Sequence, residues 1–476
     1  MGLWMLLVAW LAGWTLIPHL LLLNKRPTAT LAWLWALLLF PGFGPALYLM
    51  IGSETVTRRR IKRRDHFRGR EHWSAMRDRV RQLCDKVAEE KEIDPAVQRL
   101  LQGLTSITQL PSATISSHRL LRNAPAFYGA LQEDIKAATC DIHIETYIWR
   151  DDEVGSEFLA LLIAAAKRGV KVRVLVDELG TLWVRSSYFQ PLIDAGGQFS
   201  WCHTLSPLRN RYSFNLRNHR KLQVIDGKIA YIGGMNFGRE YLGRDPVDGS
   251  WSDVQIRVEG TVVRNFQEIF AEDWYFATGK EDVRETPDDP CTQERTIVQV
   301  LPGGPDEEDH PMLRVNLALV ATARKRLWIA AGYFVPGETI QTALQVASAR
   351  GVDVRLLISQ KSEHPLLVKA GRSYYEALMR RGIHIYEYDR GIEHSKYFVI
   401  DDDWTSIGST NLDERSMRLN FELSLLTYDR GINQELASIF EATLAESRKI
   451  DRHVFAKRSY GEKLIESALR PFSPVL

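Results

Sequence analysis

No Asp, Glu, Lys or Arg occurs in the first 24 residues, and none occurs from Thr30 to Ile51. A chain that withholds charge from two such stretches is not expected to be purely soluble, because about 20 apolar residues span a bilayer core as a helix. Cysteine is equally scarce. Cys84, Cys140, Cys202 and Cys291 form no CxxC pair, which argues against a zinc ribbon or a disulfide-stapled scaffold and for reduced, mostly buried thiols. A large charge excess is also missing. With 61 Lys and Arg against 59 Asp and Glu, the net charge is +2, so no uniformly basic nucleic-acid coat is indicated. Hydrophobic residues at 45% and charged residues at 25% exclude wholesale disorder, and 476 residues suffice for two domains or two halves around one core.

Trp4 to Leu23 and Thr30 to Ile51 read as a pair of membrane helices joined by the polar link Asn24 to Thr28. A signal peptide fits less well: no basic segment precedes the first run, and a second run follows at once. Trp4, Trp10, Trp14, Trp33 and Trp35 suit interfacial anchoring, while Pro41, Gly42, Gly44 and Pro45 predict a kinked or partly re-entrant second helix. Arg58-Arg59-Arg60-Ile61-Lys62-Arg63-Arg64 then places six positive charges in seven residues. By the positive-inside rule, the bulk of the chain faces the cytoplasm, and the same cluster suits anionic headgroups.

Residues 65 to 110 look helical, and beyond Pro111 strands alternate with helices twice over. Ala164 to Asp177 reads as a helix end, a Gly stop and a strand; Val346 to Ser359 repeats it 182 residues later. Upstream, His143 to Trp149 corresponds to Trp328 to Phe334. The expected organisation is residues 1–52 membrane helices, 53–110 a basic helical connector, 111–284 a first α/β half, 285–311 a linker rich in Pro, Asp and Glu, and 312–476 a second half. From Gly196 to His219 is 23 residues, but from Gly382 to His394 only 12. The first copy thus carries an insertion in a segment that contains Arg209, Arg211 and Arg217.

Each half holds one constellation. In the first it is His219, Lys221 and Asp226, then six residues, then Gly233-Gly234-Met235-Asn236. In the second it is His394, Lys396 and Asp401, then six residues, then Gly408-Ser409-Thr410-Asn411. His and Lys two apart on a strand share a face. Imidazole, ammonium, an Asn amide and small glycines together suit a phosphate. Two copies around one phosphorus supply a nucleophile and an acid, with lysines and amides neutralising charge; no cofactor or metal is called for. Asp226 and Asp401 belong to the motif but are expected to hold the strand ends. His143 and His384, in strand-like segments, are expected in the core.

These residues resemble the phospholipase D superfamily, marked by the duplicated HKD motif, and within it the bacterial cardiolipin synthases. The likeness also runs through Tyr147 to Trp149, Arg217 to His219, Trp251-Ser252-Asp253, Asn420-Phe421-Glu422 and Ser473-Pro474. It implies a duplicated phospholipase D fold of two pseudo-symmetric αβα halves behind a transmembrane helical hairpin. It further implies a multi-pass enzyme of the bacterial inner membrane that transfers a phosphatidyl group between two phosphatidylglycerols and releases glycerol. His219 would form a phosphohistidine and His394 act as acid and base, with the reverse assignment open. Asp253 and Glu422 match the carboxylates that orient the histidines. Ser252 departs from the pattern, where a basic residue is expected. A hydrolytic phospholipase D, a membrane-tethered nuclease and an inactive lipid-binding scaffold are the alternatives. The first two use the same site; the last is disfavoured by two intact motifs. Arg209, Arg211 and Arg217 are candidates for holding a second anionic lipid.

Overall fold

The computed structural model describes residues 2–23, 27–49, 61, 64–90, 92–202, 216–243, 249–281, 296–307 and 310–472. Arg209, Arg211, Cys291, Ser473 and Pro474 lie outside these, as do the link around Asn24 to Arg26 and every basic residue of the 58–64 cluster except Arg64.

The N-terminal helices α1 (Gly2–Leu22) and α2 (Pro27–Leu39) pack side by side, with Leu20, Leu37 and Tyr48 buried between them. Among the described residues no helix is long and apolar enough to cross a membrane. The second expected span is broken, as its Pro and Gly residues predict. The chain turns at Pro41-Gly42, where Gly42 adopts φ 83°, and the short α3 (Phe43–Leu47) follows. At 1.5 Å per residue, α2 is roughly 20 Å long against a hydrocarbon core of about 30 Å.

The connector is helical. In α4 (Glu71–Glu90), Trp73, Val80 and Cys84 recur at helical spacing and face inward; α5 (Pro95–Thr108) starts at an Asp94 cap and buries Val97, Leu101 and Leu104. Arg64 does not face lipid: its guanidinium donates to the Asp306 carbonyl at 2.6 Å. Arg68 pairs with Glu272 at 2.7 Å and Arg77 with Glu268, which ties the connector to the catalytic body.

Two sheets carry the duplication. The first runs β2 (Ser117–Arg122), β10 (Val254–Glu259), β8 (Ile229–Gly233), β7 (Leu222–Ile225), β3 (Asp141–Thr146), β4 (Lys171–Val176), β5 (Gln198–Trp201). The second repeats that order with β11 (Thr296–Gly303), β20 (Asn420–Tyr428), β18 (Trp404–Gly408), β17 (Lys396–Ile400), β12 (Arg326–Ala331), β14 (Asp353–Ser359), β15 (His384–Tyr388). The expected helix-Gly-strand repeat is present: Gly169 (φ 91°) precedes β4 and Gly351 (φ 89°) precedes β14. The expected linker is shorter than 285–311, because Thr296–Gly303 is a fully buried strand of the second sheet. The halves also interlock, since β1 (Ala113–Ile115) pairs with β11. Helices such as α6 (Asn123–Ala137), α7 (Glu153–Lys167) and α8 (Val262–Thr278) cover the first sheet. The second is covered by helices including α9 (Pro311–Thr322), α10 (Gly337–Ala349), α11 (Pro365–Met379) and α12 (Arg430–Ala445). Most strands of both sheets are buried on both faces, as strands covered on both sides are, with polar side chains such as His143, Arg173, Gln223 and Gln299 among the buried residues.

His143 is buried, stacked on Phe270 at 4.6 Å and bonded to Arg173 at 2.7 Å, as a core histidine should be. His384 is exposed at the start of β15, not in the core. Cys84 and Cys202 are buried, whereas Cys140 is exposed.

Candidate active site

The residues of the two motifs are brought together by two short parallel pairings between the halves. The strand β6 (Arg217–Asn218) lies beside the start of β20, and β16 (Gly391–Glu393) beside β9 (Ser250–Ser252). Each pairing continues into the motif. The His219 amide donates to the Phe421 carbonyl at 2.9 Å, and the His394 amide to the Ser252 carbonyl at 2.8 Å. Phe421 precedes Glu422, and Ser252 precedes Asp253. Each histidine is therefore pinned next to a carboxylate of the opposite half.

The side chains follow the backbone. His219 Nδ1 sits 3.1 Å from Glu422, and His394 Nδ1 sits 2.8 Å from Asp253. The orientation is crosswise, so neither half holds a complete site. With Nδ1 engaged, Nε2 is the nitrogen left for chemistry. Gly234 is required here, since a Cβ would lie 2.5 Å from both Asp253 carboxylate oxygens. Its counterpart Ser409 instead donates its hydroxyl to Glu422. Ser252, the departure from the pattern, is buried, and its carbonyl anchors His394.

The two ion-pair environments differ. Burial alone would raise Glu422, but His219, Lys221 and Ser409 hold it below its usual range, so it is ionised. Burial pushes Asp253 up to about 8, against the pull of Lys396. Burial also lowers both histidines. Glu422 opposes this at His219, while Lys396, Lys221 and His219 drive His394 further down. The Asp253–His394 pair is thus biased towards keeping a proton on its carboxyl, and the Glu422–His219 pair towards an ionised carboxylate.

Lys221 and Lys396 are buried and donate to the carbonyls of His219 and His394. Burial brings them down to about 7 and about 8. A bound phosphodiester anion raises both again, so the affinity they supply is complete below these free-site values and is lost as pH rises through them. Deprotonation of Asp253 acts in the same direction. Inhibition by glycerophosphoglycerol, a soluble monoanionic diester, should therefore weaken as pH rises through this window, by up to about tenfold per unit for each lysine lost. An inhibition constant that stays flat there would remove the lysines as phosphate ligands.

The remaining motif residues have other duties. Asp226 accepts from the amides of Thr139, Cys140 and Asp141, and Asp401 from those of Arg324, Lys325 and Arg326. Both stand at the far ends of β7 and β17 with positive φ (53° and 49°), so they join strand ends and leave the catalytic set. Asn236 accepts from the Ile148 amide at 3.1 Å and donates to Tyr241, and Asn411 accepts from the Tyr333 amide at 3.3 Å. Their carbonyl oxygens shape the loops after β3 and β12. Arg217 is buried two residues before His219, lowered by burial, with Asp177, Tyr147 and Arg415 in electrostatic reach.

Several supporting residues lie outside the repeated constellation, although Asn218, Tyr147 and Trp251 fall in segments that carry the family likeness. Asn218 and Glu393, the residues before each histidine, accept from the amides of Arg220 (3.0 Å) and Ser395 (2.9 Å). Tyr147 packs its ring 5.1 Å from that of His219; Trp251 and Tyr241 lie 5.4 and 5.5 Å from His394. Arg220 clamps the Glu422 carbonyl at 3.2 Å and pairs with Asp273. Asp273 neighbours Glu272, the partner of Arg68, which continues the tie to the connector.

A duplicated α/β body with one His–Lys pair from each half, joined crosswise at the junction of the halves, defines a phospholipase D-like protein. Sequence comparison narrows this. The model of the cardiolipin synthase PLD-like domain matches residues 131–274 and 317–444, and the phospholipase D-nuclease N-terminal model matches 3–53. A cardiolipin synthase of Geobacillus sp. (strain WCH70) is 35% identical over 95% of this chain and 90% of its own. Cardiolipin synthase 2 of Bacillus anthracis is 36% identical over 95% of this chain and 88% of its own. The chain belongs to the cardiolipin synthase family. The fold also matches the crystal structure of a phosphatidylserine synthase from Haemophilus influenzae, with a TM-score of 0.60 at 17% identity, over 79% of this chain and 97% of that one.

Proposed function

We propose that this chain joins two phosphatidylglycerol molecules into cardiolipin and releases glycerol. The observation that carries the reading is the crosswise His–carboxylate pairing in a chain of this family. His219 Nε2 attacks the donor phosphorus as the bond to the glycerol headgroup breaks, and His394 gives that oxygen its proton. His394 then takes the proton from the hydroxyl of the second phosphatidylglycerol, whose oxygen displaces His219 from phosphorus. Ionised Glu422 supports His219 as nucleophile, and the proton retained by the Asp253–His394 pair supports His394 as acid. Lys221 and Lys396 hold the phosphate oxygens, with Asn236 and Asn411 shaping the cradle. With phosphatidylglycerol as sole substrate, in a chelator and without nucleotide, cardiolipin and glycerol should appear in equal amounts. Phosphatidic acid as the main product would replace this reading with hydrolysis.

Arg217 is proposed to hold the acceptor phosphate, because it is a buried cation just ahead of His219. Arg217→Gln should cut cardiolipin formation about tenfold, the worth of roughly one charged hydrogen bond. Exchange of labelled glycerol into phosphatidylglycerol, whose acceptor has no phosphate, should stay within about twofold on the same argument. Equal losses would assign Arg217 to the donor site or the fold.

The N-terminal helices are proposed to lie in the bacterial inner membrane with the catalytic body on its cytoplasmic side. Trp10, Trp14, Leu22, Trp35 and Phe43 expose large apolar surfaces there, which a bilayer covers and water does not.

A further inference from the structure

The C-terminal helix α13 (Tyr460–Leu469) packs Leu469 on the core but exposes most of its other apolar side chains. Its Ser459 capping box is complete, so its start is well set. Yet the side it turns to the protein carries Glu466, only 5% exposed and paired with Arg458 at 2.9 Å and Arg372 at 3.4 Å. The side it turns outward carries Tyr460 (81% exposed), Leu464 (55%) and Ile465 (51%), at the spacing of one helical stripe. Burying an ion pair while exposing Leu and Ile is costly in water, and the cost is removed only if the outer stripe meets an apolar phase. Leu366 on α11 and Val454 in the turn 452–456 extend the stripe, at 48% and 70% exposure.

Beside this stripe, between α11 and α13, lies a groove of about 680 Å³. Pro365, Val368 and Ile465 line it, with the exposed Lys361 and Lys369 at its edge, while its Arg372 is engaged by Glu387 and Glu466. Its two carboxylates are already used: Glu466 by the arginines, and Glu462 by the Ser459 amide and hydroxyl of the cap. What remains is apolar surface edged by cations.

The location links this face to the catalytic cleft. Lys361 follows β14 by two residues, and the Ser359 hydroxyl at that strand end accepts from the Glu393 amide, next to His394. The neighbouring Glu363 lines a second cavity together with Trp183, which is 88% exposed on the corresponding loop of the first half. Exposed Trp183 in the first half and Leu366 in the second thus both follow the strand ends near which the histidines meet.

We propose that the outer face of α13, with its basic groove, docks on the anionic surface of the bilayer, apolar side chains inserted and lysines on lipid phosphates. The choice of a lipid bilayer over another apolar partner rests on the phosphatidyl-transfer reading; the exposed stripe itself does not. Docking at this point, far in sequence from α1 and α2, would hold the cleft down onto the plane from which its substrates come.

The test uses the full chain in nanodiscs of phosphatidylcholine alone and of phosphatidylcholine with phosphatidylglycerol. Amides of 460–469 should exchange with deuterium about tenfold more slowly on the anionic discs, and the Leu464→Ser/Ile465→Ser and Lys361→Gln/Lys369→Gln variants should lose that difference. In the same variants, cardiolipin formation should fall about tenfold in vesicles and stay within about twofold in detergent mixed micelles, where substrate reaches the cleft without a surface. Equal exchange on both discs overturns the proposal. So does protection that rises with protein concentration on neutral discs, which would assign the face to a second copy. If the wild-type chain makes no cardiolipin, the transfer reading fails, while the exchange data still decide the docking.

Discussion

On phosphatidylglycerol, His219→Ala and His394→Ala should each lose about 10⁴-fold or more of turnover, since each removes a group that acts on the reacting atoms. The two losses have different origins, and a change of leaving group separates them. Glycerol departs as an alkoxide and needs a proton, whereas 4-nitrophenol departs without one. With a phosphatidyl 4-nitrophenyl ester, His394→Ala should release nitrophenol in a burst of about one equivalent per site and stall as a covalent phosphatidyl adduct. The adduct should map to His219. His219→Ala should give no burst. A burst from His219→Ala instead, with the adduct on His394, would exchange the roles of the two histidines. Substantial turnover of phosphatidylglycerol by either variant would remove the mechanism.

The crosswise carboxylates give the second large effect. Asp253→Asn and Glu422→Gln keep shape; the first removes the titratable carboxyl that shares a proton with His394 and the second removes a charge, and each should cost about 10²- to 10⁴-fold on phosphatidylglycerol, the range for a residue that orients and stabilises a catalytic imidazole. Asp253 belongs to the first half by sequence, yet its Oδ2 is 2.8 Å from His394 of the second half. Asp253→Asn should therefore behave as His394→Ala does and recover on the nitrophenyl ester. Glu422→Gln should behave as His219→Ala does and stay slow on both substrates. If Asp253→Asn stayed slow and Glu422→Gln recovered, each carboxylate would serve the histidine of its own half, and the pairing described here would be wrong.

Much of this was legible in the chain. The two HKD motifs, the duplication and the helix-Gly-strand repeats are local patterns, set by side-chain type and by the two- and 3.6-residue periods of strand and helix. Asp226 and Asp401 could be suspected as structural, and the backbone amides they accept confirm it. The broken second apolar helix was visible in Pro41 and Gly42, because those residues cannot continue a helix without cost. The buried strand Thr296–Gly303 was missed inside a stretch rich in Pro and acidic residues, where composition hid eight residues that pair with both β1 and β20.

By itself, then, the sequence determined the two HKD constellations, that they come in two equivalent sets, and the family they mark. Only the tertiary structure decided which carboxylate serves which histidine. His219 and Glu422 are 203 residues apart, and no local period relates them. Their meeting depends on β6 lying against β20 and β16 against β9, a register fixed by how the two sheets pack rather than by either strand. The same packing buries both lysines and biases the two His–carboxylate pairs differently, since desolvation is a property of the assembled interior and not of a motif.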